Sequence, residues 1–87
     1  MLEISVTEVF TKLYQKLPEF IRQKANSKTK IFRENPFHPS LRTKKLEPHH
    51  EELWSFWIDK DYRIKFRFVA KDKVHFLYIG NRKDIYR

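Results

Sequence analysis

The chain has no cysteine, one glycine and one methionine in 87 residues. Without cysteine there can be no disulfide framework and no thiolate metal site, and the absence suits a reducing compartment. No apolar run approaches the ~20 residues a membrane span needs. The opening MLEISVTEVF lacks the pattern of a signal peptide. Repeats and low-complexity segments are also missing. These absences lead to the expectation of a soluble, cytoplasmic protein with no membrane partner, folded as one domain over residues 1–87. At this length a single core sits near the lower limit of independent stability and must hold by packing alone.

Aromatic residues are abundant: eight Phe, four Tyr and two Trp make up 16% of the chain, and each buries a large area. Charge is also abundant and unbalanced. Nineteen Lys and Arg against eleven Asp and Glu give a net charge of +8, which attracts polyanions and speeds their encounter.

Leu2 to Val6 alternates apolar and polar residues, as a short strand does. Thr7 is placed to cap a helix, in which Phe10, Leu13, Tyr14 and Leu17 form one apolar stripe. Pro18 ends that helix or begins the next. The second helix, strongly basic, is expected to turn Phe20, Ile21, Ala25, Ile31 and Phe32 inward and to stop before Asn35-Pro36. Pro36 to Pro48 reads as irregular. Three strands follow, Leu53 to Ile58, Tyr62 to Val69 and Val74 to Ile79, joined by hairpin-length turns. Gly80 then releases the tail, Asn81 to Arg87. The expected fold class is α+β: an N-terminal strand, two antiparallel helices and a three-stranded antiparallel meander, all strands in one sheet and the helices on one face.

The strand Tyr62 to Val69 carries the sharpest functional signal. Tyr62, Ile64, Phe66 and Phe68 fall on one face, while Arg63, Lys65 and Arg67 fall on the other. A row of cations on an open sheet face has two explanations, ordinary solvation or a surface for phosphates. Further basic clusters are Arg42, Lys44 and Lys45 before the sheet, and Arg82, Lys83 and Arg87 with Tyr86 in the tail. Arg63 and Arg82 are placed to face one concavity, and the planar arginine fork binds phosphate oxygens in pairs. Trp57 and Tyr86 either stack on bases or close the edge of the core. Trp54 and Phe56 read as core. The histidines His38, His49, His50 and His75 read as surface residues, with His75 on the solvated sheet face. His49 and His50 are adjacent, but no Cys or acidic pattern completes a tetrahedral site, so no metal and no cofactor is called for.

The ordered set Leu53-Trp54-Ser55-Phe56-Trp57-Ile58, Asp61-Tyr62-Arg63-Ile64, Val74 to Gly80 and Asp84-Ile85-Tyr86-Arg87 resembles the RelE/ParE superfamily of type II toxin–antitoxin toxins. The entry Asn35 to Ser40, running into Leu41-Arg42-Thr43-Lys44-Lys45-Leu46, is similar as well, so the resemblance covers nearly the whole chain. It implies a microbial-ribonuclease-like fold and a RelE/HigB/YoeB-like mRNA interferase, an endoribonuclease that arrests translation on the ribosome. In such a toxin the RNA 2′-hydroxyl attacks the adjacent phosphate. That reaction needs a base, cations for the phosphate charge and an acid for the leaving oxygen. By resemblance, Arg63, Arg82 and Tyr86 are the catalytic residues, with Lys83 where relatives carry His. Arg42, Lys44, Lys45, Lys65, Arg67, Lys83 and Arg87 bind RNA phosphates. Ser55 and Trp57 stand where some relatives have lysines, and no base is obvious; Glu51, Glu52, His49 and Lys45 are candidates. The implied partners are an acidic, partly disordered antitoxin, the ribosome and mRNA. Two alternatives stay open: a ParE-like toxin that inhibits DNA gyrase without cutting RNA, and an inactive basic binding relative.

Overall fold

A computed structural model describes residues 1–46 and 52–85. Strand β1 (Glu3–Val6) leads through Thr7 into α1 (Glu8–Lys16) and then α2 (Glu19–Glu34). A single 3-10 turn (Pro39–Leu41) precedes the short β2 (Lys44–Lys45), and β3 (Trp54–Trp57), β4 (Tyr62–Ala70) and β5 (Lys73–Asn81) follow. A final turn of helix, α3, spans Arg82–Ile85. No helix among the described residues is long and apolar enough to cross a membrane.

Local chemistry sets the helix ends. The Thr7 hydroxyl oxygen accepts the Phe10 N–H at 3.0 Å, satisfying one of the amides that a helix start leaves unpaired. The same hydroxyl donates to the Leu77 carbonyl at 3.1 Å, tying the start of α1 to β5. Glu8 and Lys16 sit at the two ends of α1 with the signs the helix dipole favours. Pro18 is the N-cap of α2. Tyr14 Oη donates to Asn26 Oδ1 at 3.0 Å and fastens the two helices side by side.

The five strands form one sheet in the order β1-β5-β4-β3-β2. β2 to β5 form an antiparallel meander, and β1 pairs with β5 in parallel. That mixed pairing follows from the path of the chain. The helices cover one face, and the end of α2 returns to Leu2 beside β1. The segment with the 3-10 turn, which packs against β3, takes the chain to the far edge, and the meander returns strand by strand until β5 lies beside β1. The expected three-stranded meander therefore gains a strand at Lys44–Lys45. Two adjacent lysines show no alternation to read, and lysine is a usual residue at an exposed sheet edge.

The core lies between the helices and one sheet face. Phe32 is its centre: fully buried, it stacks on Phe56 at 4.7 Å and meets Phe66 and Phe76 edge-on at 4.9 and 5.5 Å. Phe10, Ala25, Leu41, Ile58, Ile64, Val74 and Ile79 complete the cluster, and Trp54 packs partly buried against it. Phe20 departs from expectation, for it is 60% exposed. The buried stripe of α2 is Ile21, Ala25 and Phe32, and Phe20, one residue before Ile21, turns about 100° away from it. The tail departs too, because Ile85 is buried and α3 packs against β4 and β5. Four residues are too few to show helical periodicity.

Phe32→Ala would open a cavity lined by three phenylalanine rings. It is expected to cost about 3–5 kcal/mol, most of the stability of a domain this small, read as a lowered urea midpoint.

Candidate nucleic-acid interface

The strand register sorts the side chains of the outer face, the one turned away from α1 and α2, into rows. Trp57, Arg63 and Gly80 lie abreast on β3, β4 and β5. The next row is Lys44, Ser55, Lys65 and Tyr78. Beyond it lie Arg67, His75 and Ser5, with Ser5 Oγ and His75 Nδ1 2.7 Å apart.

Arg63 is only 3% exposed. Its Nη1 donates to the carbonyls of Asp59 at 2.6 Å and Tyr62 at 3.0 Å, and its guanidinium lies over the Trp57 ring at 4.0 Å. Carbonyl dipoles and an aromatic face together replace water around the charge. The acceptor geometry is set by the turn between β3 and β4. There the Asp61 and Tyr62 amides donate to Asp59 Oδ1 at 2.8 and 2.9 Å, a side-chain-closed turn of the kind aspartate favours. Burial alone would raise the Asp59 carboxyl; those two amides, followed by Lys24 at 3.5 Å, more than offset it and hold it below its ordinary value.

A second guanidinium, that of Arg42, lies over the same indole at 4.4 Å. Arg42 ends the 3-10 turn in the left-handed region, φ 49° and ψ 43°, a conformation costing a non-glycine residue of order 1 kcal/mol. Its neighbour Leu41 is fully buried and anchors the turn. His38 caps it by accepting the Ser40 amide at 3.1 Å. In the second row the Lys65 ammonium lies 5.4 Å from the Tyr78 ring. A Cβ on Gly80 would come within 3.1 Å of that ring, so glycine there lets Tyr78 lie against its own strand. α3 begins past the Trp57, Arg63 and Gly80 row, where the Arg82 amide donates to the Asp61 carbonyl at 2.7 Å. Arg82 and Lys83 are exposed there.

No protein-family model and no curated protein sequence matches the chain. Solved structures do. YafQ from E. coli superposes over 100% of both chains with a TM-score of 0.79 at 11% identity. A YoeB/ParE toxin from Agrobacterium tumefaciens covers 93% of this chain and 99% of its own, with a TM-score of 0.78 at 15% identity. In an archaeal RelE–RelB complex from Pyrococcus horikoshii the figures are 95% and 97%, with a TM-score of 0.76 at 20% identity. The chain has the RelE-type toxin fold.

On the RelE-type sheet the expected residues separate into three groups. Arg42, Lys44, Arg63, Lys65 and Arg67 belong to the outer face or its rim, and Arg82 and Lys83 begin α3 beside it. Lys45 does not join them. It pairs with Trp54, on the opposite side of the sheet from Lys44, and its ammonium lies 3.7 Å from Glu52. That pair therefore stands apart from Arg63. Glu51, His49, His50, Tyr86 and Arg87 lie outside the described residues.

Two expectations for this face need correction. Arg63 is not part of a solvated row but lies beneath it, because its hydrogen bonds run back into the turn. Trp57 neither stands open nor closes the core, since two guanidiniums lie over it. Tyr78 was missed. Simple alternation from Val74 and Phe76 places it inside, but a shift of register between Lys65 and Phe66 makes Leu77 an extra residue and turns Tyr78 outward.

Two outcomes follow for this site. Ser55 Oγ is buried with no hydrogen-bond partner among the described residues, so Ser55→Ala is expected to leave stability unchanged or raise it by up to about 1 kcal/mol. Asp59→Ala is expected to destabilise by about 1–2 kcal/mol at neutral pH, having lost the acceptor for two amides. Because folding depresses the Asp59 pKa, its carboxylate contributes above the unfolded value near 4. The contribution is lost as pH falls through the folded value. The gap between wild type and Asp59→Ala should therefore narrow below about pH 4 in urea titrations.

Proposed function

We propose that the protein is the toxin of a type II toxin–antitoxin module and an endoribonuclease that cleaves mRNA on the ribosome. One observation carries the reading: a cationic outer face built on Arg63 and Lys65, on a fold shared with RelE, YoeB and YafQ. The 2′-hydroxyl of one nucleotide attacks its 3′ phosphate and loses its proton to a base. The P–O5′ bond breaks, leaving a 2′,3′-cyclic phosphate and a 5′-hydroxyl that takes a proton from an acid. Negative charge builds on the phosphate oxygens, and this is where fixed cations act. Arg63 supplies charge from beneath the surface, in a setting less screened than water. Arg82 reaches the phosphate directly, Tyr86 stacks on a base or passes the proton, and Arg42, Lys44, Lys65, Arg67 and Lys83 bind the flanking backbone, with Arg87 at the end of the tail.

Of the base candidates, Glu52 and Lys45 are the weakest, since the two sit together away from this face; Glu51 and His49 stay open. The whole chain acts as one domain in the cytoplasm. Two neighbours of the same fold were solved bound to RelB, which supports a cognate antitoxin here. An acidic, partly disordered chain suits the +8 surface.

Inducible expression with mapping of mRNA 5′ ends tests this reading. Growth arrest with new ends at in-frame codon positions is expected. Arg82→Ala and Lys65→Ala should each reduce cleavage by about 100-fold without loss of folding; Arg63→Ala is less informative, because it also removes buried hydrogen bonds. Arrest without cuts would favour a gyrase-directed toxin, and no arrest a basic binding relative.

A further inference from the structure

Trp57 is an aromatic residue on a surface read as RNA-binding, and the simplest role for such a ring is to stack on a base. The geometry opposes that role. The Arg63 and Arg42 guanidiniums already lie over the ring, at 4.0 and 4.4 Å. Arg63 cannot readily leave, being buried and bonded to two backbone carbonyls. Arg42 differs from it. It is exposed, and its guanidinium lies against the indole face, with no side-chain hydrogen bond or ion pair among the described residues. A guanidinium held by its face keeps its N–H donors, which lie in its plane, available for the oxygens of a phosphate. Lys44 and Lys65 in the adjoining row extend the positive field.

We propose that Trp57 is a scaffold for guanidinium and not a platform for a base, and that the Arg42 it holds binds a backbone phosphate of single-stranded RNA. This deepens the reading of the outer face as an RNA interface and rests on it. Trp57 is thus a positioning residue, held in place from beneath by Arg63 and itself limiting the freedom of Arg42. Preorganisation of this kind strengthens binding by removing rotamer entropy that the ligand would otherwise have to overcome.

The test uses two labelled decamers followed by anisotropy over a salt series: 2′-O-methyl oligouridylate, which cannot be cut, and an abasic sugar–phosphate chain of equal length. Arg42→Gln is expected to weaken both probes about fivefold at 0.1 M salt and to lower the salt slope by about 0.7, the value of one single-strand phosphate contact. Trp57→Leu should weaken both probes by a similar or smaller factor. The double variant should bind no worse than Arg42→Gln alone, because the two residues act as a unit. Trp57→Phe, which keeps a ring, should bind both probes nearly as wild type does, and urea unfolding confirms that each variant is folded. If Trp57→Leu weakened only the base-bearing probe, the indole would be a stacking platform and the proposal would fail. Wild-type affinity in Arg42→Gln would also overturn it. If wild-type protein bound neither probe, the RNA-interface reading itself would fall, and this proposal with it.

Discussion

The placement of Arg63 is the constraint on which the rest of the outer face depends. An unpaired buried charge is untenable in a small domain, so the surroundings of this one must be built for it. Two carbonyls from the β3–β4 turn and the Trp57 ring do this. Each has its own requirement. The turn needs the Asp59 carboxylate to gather the Asp61 and Tyr62 amides, and the indole needs β3 in a register that sets Trp57 opposite Arg63. A one-residue slip would carry Trp57 to the core face and Phe56 out of it. The same register that buries Phe56 against Phe32 therefore also brings the indole to the guanidinium.

The sheet divides its labour accordingly. One face is a set of interlocked phenylalanine rings that holds the domain together without a disulfide. The other gathers cations that no core could accept. Such an arrangement suits phosphate chemistry, where catalysis is largely positioning and charge stabilisation by groups that need not move. A cation fixed in place before the substrate arrives is more effective than one that must be ordered at the moment of reaction.

Much of this architecture can be read from the residues, and the parts that cannot have physical reasons. The Phe10–Leu17 stripe, the capping Thr7 and the alternation of Tyr62 to Phe68 report local preferences directly, and the helices and the β3–β5 meander follow from them. The two-residue β2 exists only because β3 offers it a partner, and α3 only because Ile85 finds a buried site. Tyr78 faces outward because of a register shift on β5, a matter of pairing rather than of composition. The burial of Arg63 was hidden for a different reason. Nothing in Tyr-Arg-Ile distinguishes an arginine that looks out from one that bends back into its own turn. For Trp57 and Arg42, fifteen positions apart in the sequence, the contact appears only once the 3-10 turn has placed Arg42 in its left-handed conformation.

The function proposed for this face is transesterification on RNA. The most direct measurement is incubation of purified protein with ribosomes carrying a defined mRNA, followed by chemical analysis of the new ends. The expected result is a 2′,3′-cyclic phosphate on the upstream fragment and a 5′-hydroxyl on the downstream one, both lost in Arg82→Ala. Intact mRNA, or fragments bearing a 5′-phosphate, would contradict it.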